Sequence, residues 1–236
     1  MIKEFTKRFL SRFGYEIRKI PNRIERPGFT LYRFIKKDGT FDYEKYKQIQ
    51  IDGNKSKIDW VWAVEENIAF LSDYIKKISG QPKFGICHGT RNGKEQEWFR
   101  KYLHCNVIGT EISDTAEHFP HTIQWDFHET KPEWINATDF IYSNSFDHSY
   151  NPHKCLNAWI NCLKTGGLCI IEHTSNNEPS MATELDPFGA DLVQILYLIT
   201  RWGEGKYCVR ELLEVPVKKN LLDNVGYAYF IAVQKL

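Results

Sequence analysis

The sequence lacks several features that would place a protein at once. No apolar run among its 236 residues approaches the roughly 20 residues of a membrane-spanning helix, and the N-terminus has no apolar core of the kind a secretion signal needs. The six cysteines form no C-x-x-C pair and no zinc-ribbon spacing. The 31 basic and 30 acidic side chains almost cancel, and no basic stripe with interleaved aromatic residues is present. These absences predict a cytoplasmic protein with reduced thiols and no nucleic-acid partner.

Length and composition fit one globular domain with a short extension, since 42% of the 236 residues are hydrophobic. Charge is concentrated in residues 1–20, where six basic side chains accompany two acidic ones. Apolar side chains recur there at intervals of three and four: Ile2, Phe5, Phe9, Phe13 and Ile17. The pattern predicts a basic amphipathic helix. Such a helix either docks on a protein surface or contacts the anionic inner face of a membrane. The protein surface is its own domain or a sister subunit, and the second case gives a homo-oligomer.

Residues 21–57 contain proline and glycine punctuation with little periodicity, which predicts an irregular arm. We therefore divide the chain into an N-terminal arm, residues 1–57, and a folded domain, residues 58–236. From Trp60 to Ile78 apolar residues step by three and four before "GQP" ends the run, and this predicts a helix.

The remainder alternates short apolar runs with helical segments. The predicted strands lie in "KFGIC", "NVIGTEIS", "TIQWDF", "ATDFIYSNS" and "GGLCIIEH". This alternation is typical of βαβ units, so we predict an α/β fold with a mostly parallel sheet and helices on both faces. The last two runs, "YCVRELLEV" and "YAYFIAVQKL", have no clear helix between them and predict a C-terminal antiparallel hairpin.

The turn "HGTRNG", after the first of these strands, is the first candidate site. Parallel sheets bind ligands outside the carboxyl ends of their strands, and the N–H groups of a helix beginning near Lys94 would face such a ligand. Gly89 and Gly93 permit positive φ and a close approach of the backbone. The turn matches neither G-x-G-x-x-G nor G-x-x-x-x-G-K-[ST], because Glu95 follows Lys94. Taken alone, it is either a plain connection or a ligand-binding turn.

The next two strand ends add groups that suit a nucleoside. Glu111 follows the second strand about 20 residues after the turn, where a carboxylate can accept both hydroxyl protons of a ribose. At the third strand end, Asp126 and Phe127 offer an acid and an aromatic ring for the edge and the face of an adenine. Three such strand ends in order favour a binding site over solvated loop residues.

The blocks "GICHGTRNGKE", "VIGTEIS", "QWDFHE", "DFIYSNSFDHS" and "LKTGGLCIIEH" resemble, in order and spacing, those of class I S-adenosylmethionine-dependent methyltransferases, over residues 60–236. The resemblance implies a Rossmann-like sheet of seven strands and S-adenosyl-L-methionine as cofactor. It places Gly89 under the amino-acid portion of the cofactor, Glu111 at the ribose, and Asp126 with Phe127 at the adenine. The other positions that it implies around the cofactor are Thr90, Arg91, Asn92, Ser143, Asn144 and Ser145.

The sequence departs from that family at three positions. Gly85 stands where an acid is usual, and Cys87 and Arg91 replace glycines. Loss of the acid removes an expected contact to the amino group of the cofactor, whereas Arg91 could pair with the methionine carboxylate. These departures keep open a methyltransferase-like binding domain without catalysis. A nicotinamide-dependent enzyme is a third interpretation, which the terminal hairpin and altered turn fit poorly.

A base is needed only if the methylated group keeps its proton, as a hydroxyl does. Asp147 and His148, after the fourth strand, are the first candidate pair, and Glu172 with His173, at the end of the fifth, is the second. His148, His153 and His173 have no tight metal-ligand spacing, so no metal is predicted.

Two further segments bear on the acceptor. Residues 175–191 form a long polar connection, which predicts a lid facing the substrate, with Asp186 and Asp191 as acids on it. The N-terminal "FLSRFGYEIRKIP" resembles the leader of methyltransferases of bacterial cell-surface glycans. That resemblance implies O-methylation of a sugar, a glycan or another small acceptor, in glycan biosynthesis.

Overall fold

The computed structural model describes residues 22–218 and 226–236, and the predicted basic helix of residues 1–20 lies outside them. The helices are α1 (Tyr43–Ser56), α2 (Glu65–Ser79), α3 (Lys94–Leu103), α4 (Pro152–Cys162) and α5 (Leu192–Gly203). The strands are β1 (Arg23–Arg26), β2 (Phe29–Tyr32), β3 (Phe84–His88), β4 (Asn106–Glu111), β5 (Thr122–Gln124), β6 (Thr138–Ser143), β7 (Leu163–Thr174), β8 (Phe188–Ala190), β9 (Tyr207–Glu214) and β10 (Ala228–Lys235).

Seven strands form the central sheet in the order β5-β4-β3-β6-β7-β10-β9. The pairs from β5 to β7 are parallel, and β10 runs antiparallel to both β7 and β9. The predicted α/β fold with its terminal antiparallel hairpin is therefore confirmed. Strand order reverses between β3 and β6, so a crevice opens at the carboxyl ends of these two strands, where sheets of this kind bind ligands.

Helices cover both faces of the sheet, as predicted. On one face, Leu156 and Trp159 of α4 pack with Ile195 and Ile199 of α5 against the strands. The other face is covered by α2 and α3. Their fully buried side chains there include Ile68, Leu71, Ile75, Phe99 and Leu103. The two apolar clusters fix the strands, and hence the strand ends that form the crevice.

Residues 22–57, which fall in the predicted irregular arm, are more regular than predicted. Strands β1 and β2 form an antiparallel hairpin, and β2 also pairs with β8, so a small second sheet joins this segment to the later chain. Helix α1 follows, and its N-terminus is capped by Asp42, whose side chain accepts a hydrogen bond from the backbone N–H of Lys45. The prediction of an irregular arm was wrong because the buried face of α1 is polar and gives no hydrophobic periodicity.

The helix predicted from Trp60 begins five residues later, at Glu65. The reason is a tertiary contact. The amide of Asn92 donates hydrogen bonds to the carbonyl oxygens of Ile58 and Trp60, and Arg91 donates another to Trp60. These bonds hold residues 58–60 against the turn after β3, in a path that is not helical. Within residues 22–218 and 226–236, none of the helices has the length and apolar character needed to cross a bilayer.

Candidate functional site

The turn after β3 is shaped by Gly89, whose φ of +72° lies in the left-handed region. Its N–H donates to the carbonyl oxygen of Thr110 at 2.9 Å, which ties the turn to β4. A Cβ atom on Gly89 would lie only 2.7 Å from the Cβ of Ser145. Glycine therefore allows the segment after β6 to approach the turn and leaves the backbone of the turn facing the crevice.

Glu111, at the end of β4, is a buried carboxylate with a fixed orientation. Its Oε2 accepts the backbone N–H of Arg91 at 3.1 Å, and its Oε1 accepts that of Ser113 at 3.2 Å. Burial raises the pKa of Glu111, while these N–H groups oppose the shift. An ionised carboxylate has about four lone-pair sites, so two remain for a ligand, one on each oxygen.

Asp126 is held from two sides. Its Oδ1 accepts from both the backbone N–H and the ring of His128, and its Oδ2 accepts the hydroxyl of Tyr43 at 2.9 Å. Burial would raise the pKa of Asp126, but the hydrogen bond and charge of His128 bring it below its ordinary value. His128 also contacts the hydroxyl of Ser149 at 2.9 Å. This Asp–His–Ser chain resembles a nucleophilic triad, yet Ser149 is fully buried, so we assign it a supporting role.

Two adjoining cavities open on the crevice. The smaller encloses about 60 Å³, between the strand ends and α1. Its walls include the predicted residues Gly89, Arg91, Glu111, Asp126, Phe127, Ser145 and His148. Helix α1 supplies the opposite wall with Tyr46, Gln50, Gly53 and Asn54. A Cβ on Gly53 would meet the Leu185 side chain at 2.3 Å, so this glycine allows α1 to pack closely over the cavity.

The larger cavity encloses about 220 Å³ and has a strongly polar lining. The two cavities adjoin, because five residues line both of them: Lys57, Gly89, Arg91, Ser145 and His148. The other predicted residues on its walls are Thr90, Asn92, Asn144, Asp147, Glu172 and Asp186. Among the lining residues with formal charge, four are acidic and only Lys57 and Arg91 are basic, so the cavity favours a cationic or neutral ligand.

His148 lies where the two cavities meet, and its ring is oriented by two acceptors. Its Nδ1 is 2.9 Å from Gln50 Oε1 and 3.0 Å from the carbonyl oxygen of Leu185. A carbonyl only accepts, so Nδ1 carries a proton and a neutral ring has its lone pair on Nε2. That Nε2 is 3.4 Å from Asp186 Oδ1.

Asp147 completes a group of three with His148 and Asp186. Burial raises the pKa of Asp147 to about 6; the positive charge of His148 opposes this shift and the charge of Asp186 adds to it. One ligand atom from each of the three residues lies within 4.8 Å of the others, so these are the described side chains that could hold a metal ion. His153 and His173, considered as ligands from the sequence, are not in this group.

Solved structures share this architecture. The chain covers 99% of the 1,6-didemethyltoxoflavin-N1-methyltransferase of Burkholderia thailandensis with 91% of its own length, at 13% identity and a TM-score of 0.61. It covers 98% of the geranyl diphosphate C-methyltransferase of Streptomyces coelicolor with 81% of its length, at 10% identity and a TM-score of 0.60. Both were solved with S-adenosylhomocysteine. The chain has the class I methyltransferase fold. No protein-family model and no curated protein matches it.

In this methyltransferase fold, three predicted site residues lie away from the cavities. Ser143 is fully buried and supports the turn, because its hydroxyl donates to the carbonyl oxygen of His88 and accepts the N–H of Ser145. His173 points away from Glu172 because adjacent strand residues face opposite sides of the sheet, and burial lowers its pKa to about 4. Asp191 caps α5 through the N–H of Gln194. The structure therefore gives no support to His173 as a catalytic group or to Asp191 as a group facing the acceptor.

Residues 175–191, predicted to form a lid, line the larger cavity in part and form a strand at their end. Asn176, Asn177, Met181 and Asp186 do line the larger cavity. The end of the segment, however, forms β8, which pairs with β2 in the second sheet. The segment is thus anchored at one end while it contributes one wall of the cavity.

Other residues of the cavity walls were missed from the sequence. Glu95 of α3 is 5% exposed and lines the larger cavity, and Trp62 donates from its ring N–H to Glu172 at 3.0 Å. Tyr46, Gln50 and Asn54 recur at helical spacing, and a search for polar as well as apolar periodicity would have found that stripe.

Proposed function

We propose that the protein is an S-adenosylmethionine-dependent methyltransferase that methylates a hydroxyl group of a small or glycan-linked acceptor, with a sugar as the preferred class. The observation that carries the proposal is the carboxylate of Glu111. It is buried, held by two backbone N–H groups, and has one acceptor site left on each oxygen, which suits the two hydroxyl protons of a ribose. The structural neighbours solved with S-adenosylhomocysteine, which are themselves methyltransferases, support the same cofactor.

The other residues of the smaller cavity fit the rest of that cofactor. Asp126 accepts three hydrogen bonds, which leaves one site for the amino group of an adenine. Phe127 and Ile112 provide apolar walls for the base. Gly89 allows Ser145 to pack against the turn, and we assign the backbone of this turn to the amino-acid portion of the cofactor. When bound, the cofactor supplies a methyl group activated by its sulfonium charge.

The larger cavity supports a polar acceptor. Asn144, Asn176 and Asn177 offer amide groups that both donate and accept hydrogen bonds. Trp60 lies on its rim and is 69% exposed, so its ring face is available to the apolar face of a sugar. This combination of amides with an exposed aromatic ring favours a sugar over an apolar acceptor.

His148 is the group we assign to proton transfer. Its fixed Nδ1–H leaves Nε2 to take the proton from an acceptor hydroxyl as the oxygen gains its methyl group. Asp186 Oδ1, 3.4 Å from Nε2, places a carboxylate beside the proton that Nε2 would take up. Asn177 donates to Asp147 Oδ2 at 2.8 Å and so fixes the neighbouring acid.

The test uses S-adenosylmethionine labelled with tritium in its methyl group, incubated with the protein and a panel of glycosides and other hydroxylated small molecules. We expect label in at least one acceptor and S-adenosylhomocysteine in equal amount. The departures at Gly85, Cys87 and Arg91 motivate a second candidate, a binding domain that has lost catalysis. Cofactor binding without transfer across the panel would favour that candidate. Membrane contact and homo-oligomer formation through residues 1–20 stay predictions, tested by liposome binding and oligomer mass after truncation.

A further inference from the structure

Helix α3 contributes a buried acid, Glu95, to the wall of the larger cavity. Glu95 lies in the first turn of the helix, is 5% exposed and lines the cavity beside Gly89 and Thr90. First-turn acids are usually solvated and interact with the helix dipole, as Glu97 does on the exposed side of the same turn. The carboxylate belongs to the cavity wall, where its negative charge attracts a cationic group of a ligand.

The position of Gly85 explains why an acid would be needed from elsewhere. A Cβ on Gly85 would lie 2.2 Å from the ring of Phe140, so the strand cannot carry a side chain there. Phe140 in turn packs against Phe99 of α3 at a ring distance of 5.0 Å. Phe99 is one helical turn after Glu95, on the same side of α3. The packing that excludes an acid from β3 therefore brings Glu95 over the same face of the sheet.

The carboxylate of Glu95 lies close to β3, and a residue of the crevice fixes its orientation. Cys87 lies on the same face of β3 as Gly85. Burial raises the pKa of the Cys87 thiol, and the negative charge of Glu95 raises it further. Asn144 donates its amide to Glu95 Oε1 at 3.1 Å, and Asn144 Oδ1 is 3.0 Å from the hydroxyl of Ser145. Since Ser145 also contacts the carbonyl of Gly89 at 3.2 Å, the acid is tied to the glycine turn.

We propose that Glu95 receives the amino group of the cofactor's methionine portion, in place of the acid that β3 lacks at Gly85. The assignment rests on the proposed function. The amino-acid portion has one positive and one negative group, and the cavity presents a matching pair. Glu95 lies beside the turn on the α3 side, and Arg91 also lines the cavity, where its guanidinium suits a carboxylate.

The test compares two ligands by calorimetric titration of the full chain. S-Adenosylhomocysteine contains the amino-acid portion, whereas 5′-methylthioadenosine has a methyl group on the sulfur in its place. We expect Glu95→Gln to weaken binding of S-adenosylhomocysteine at least tenfold and to leave binding of 5′-methylthioadenosine within threefold of wild type. Glu97→Gln, on the exposed side of the same turn, serves as the matched control and should change neither. Glu95→Asp keeps the charge but shortens its reach, so its loss of affinity should be intermediate.

The outcomes separate this assignment from the proposed function. Unchanged affinity of Glu95→Gln for S-adenosylhomocysteine, or equal loss for both ligands, would overturn the role of Glu95 while cofactor binding stands. If wild type binds neither ligand, the proposed function itself fails. Thermal unfolding of each variant shows whether it is folded. If Glu95→Gln does not fold, Glu95→Asp takes its place in the titration: loss confined to S-adenosylhomocysteine supports the role, and wild-type affinity for that ligand refutes it.

Discussion

The close approach between Gly89 and Ser145 makes a quantitative prediction for Gly89→Ala. A non-glycine residue at a φ of +72° costs about 1–2 kcal/mol, because its Cβ approaches the following carbonyl oxygen. The new Cβ would also lie 2.7 Å and 2.8 Å from the Cβ and Oγ of Ser145, so one of the two segments has to move. Overpacking of this kind typically costs about 1–3 kcal/mol. We expect a total loss of about 2–5 kcal/mol in the free energy of unfolding.

The matched control is Gly205→Ala. Gly205 also has positive φ, at +81°, but no atom lies within 4 Å of the Cβ that alanine would add. Its loss should be about 1–2 kcal/mol, from backbone strain alone. Urea unfolding followed by tryptophan fluorescence measures both values. Calorimetric titration with S-adenosylhomocysteine should then show binding lost in Gly89→Ala and retained in Gly205→Ala.

A double variant tests the cause of the difference. Ser145→Gly removes both atoms that the new Cβ would meet, so Gly89→Ala with Ser145→Gly should recover about 1–3 kcal/mol relative to the sum of the single variants. Equal losses for Gly89→Ala and Gly205→Ala, or strict additivity with Ser145→Gly, would refute the close approach and with it the assigned shape of the turn.

Two further predictions concern histidines. Burial lowers the pKa of His88 from 6.5 to about 3, and the positive charge of His128 adds to the shift. Because the unfolded state then binds this proton more tightly, the stabilising contribution of His88 is complete above pH 6.5 and is lost as pH falls toward 3. Relative to His88→Phe, the wild type should lose on the order of 4 kcal/mol in its free energy of unfolding by urea across that pH range. A difference between the two proteins that does not change with pH would contradict the burial of His88. At the crevice, His148→Gln should leave the dissociation constant for S-adenosylhomocysteine within threefold of wild type and lower methyl transfer by about a hundredfold or more. Unchanged transfer in the label assay would exclude His148 as the base.

Much of the site could be anticipated because the carboxyl ends of parallel strands converge. Gly89, Glu111, Asp126, Ser145 and His148 are far apart in sequence, yet each follows a strand of the predicted sheet, and the structure brings them all to one cavity. The βαβ rule and the position of the switch point were sufficient for this. Ser143 and His173 lie outside the cavities for reasons that their strand positions do not reveal: the hydroxyl of Ser143 turns back to the carbonyl oxygen of His88, and His173 faces the side of the sheet opposite to Glu172.

What the sequence did not reveal depends on packing between distant segments. Helix α1 buries Tyr46, Gln50 and Asn54, so its amphipathic pattern is polar and hydrophobic periodicity misses it. In the sequence, Gly53 indicated a break in the chain. In the structure, the side chain of Leu185, far along the sequence, occupies the space that a side chain at position 53 would need. Gly85 is explained only by Phe140, which a sequence pattern does not place beside it.

The proposed cofactor site depends most directly on Glu111 as the ribose acid. Calorimetric titration with S-adenosylhomocysteine should show binding at one site in the wild type. Glu111→Gln should weaken it at least tenfold, since hydrogen bonds to a charged acceptor contribute about 1.5–3 kcal/mol each. Glu117→Gln, an exposed position nearby, should bind as wild type does. Absence of binding in the wild type, or equal affinity in Glu111→Gln and wild type, would contradict the assignment of this crevice as a cofactor site.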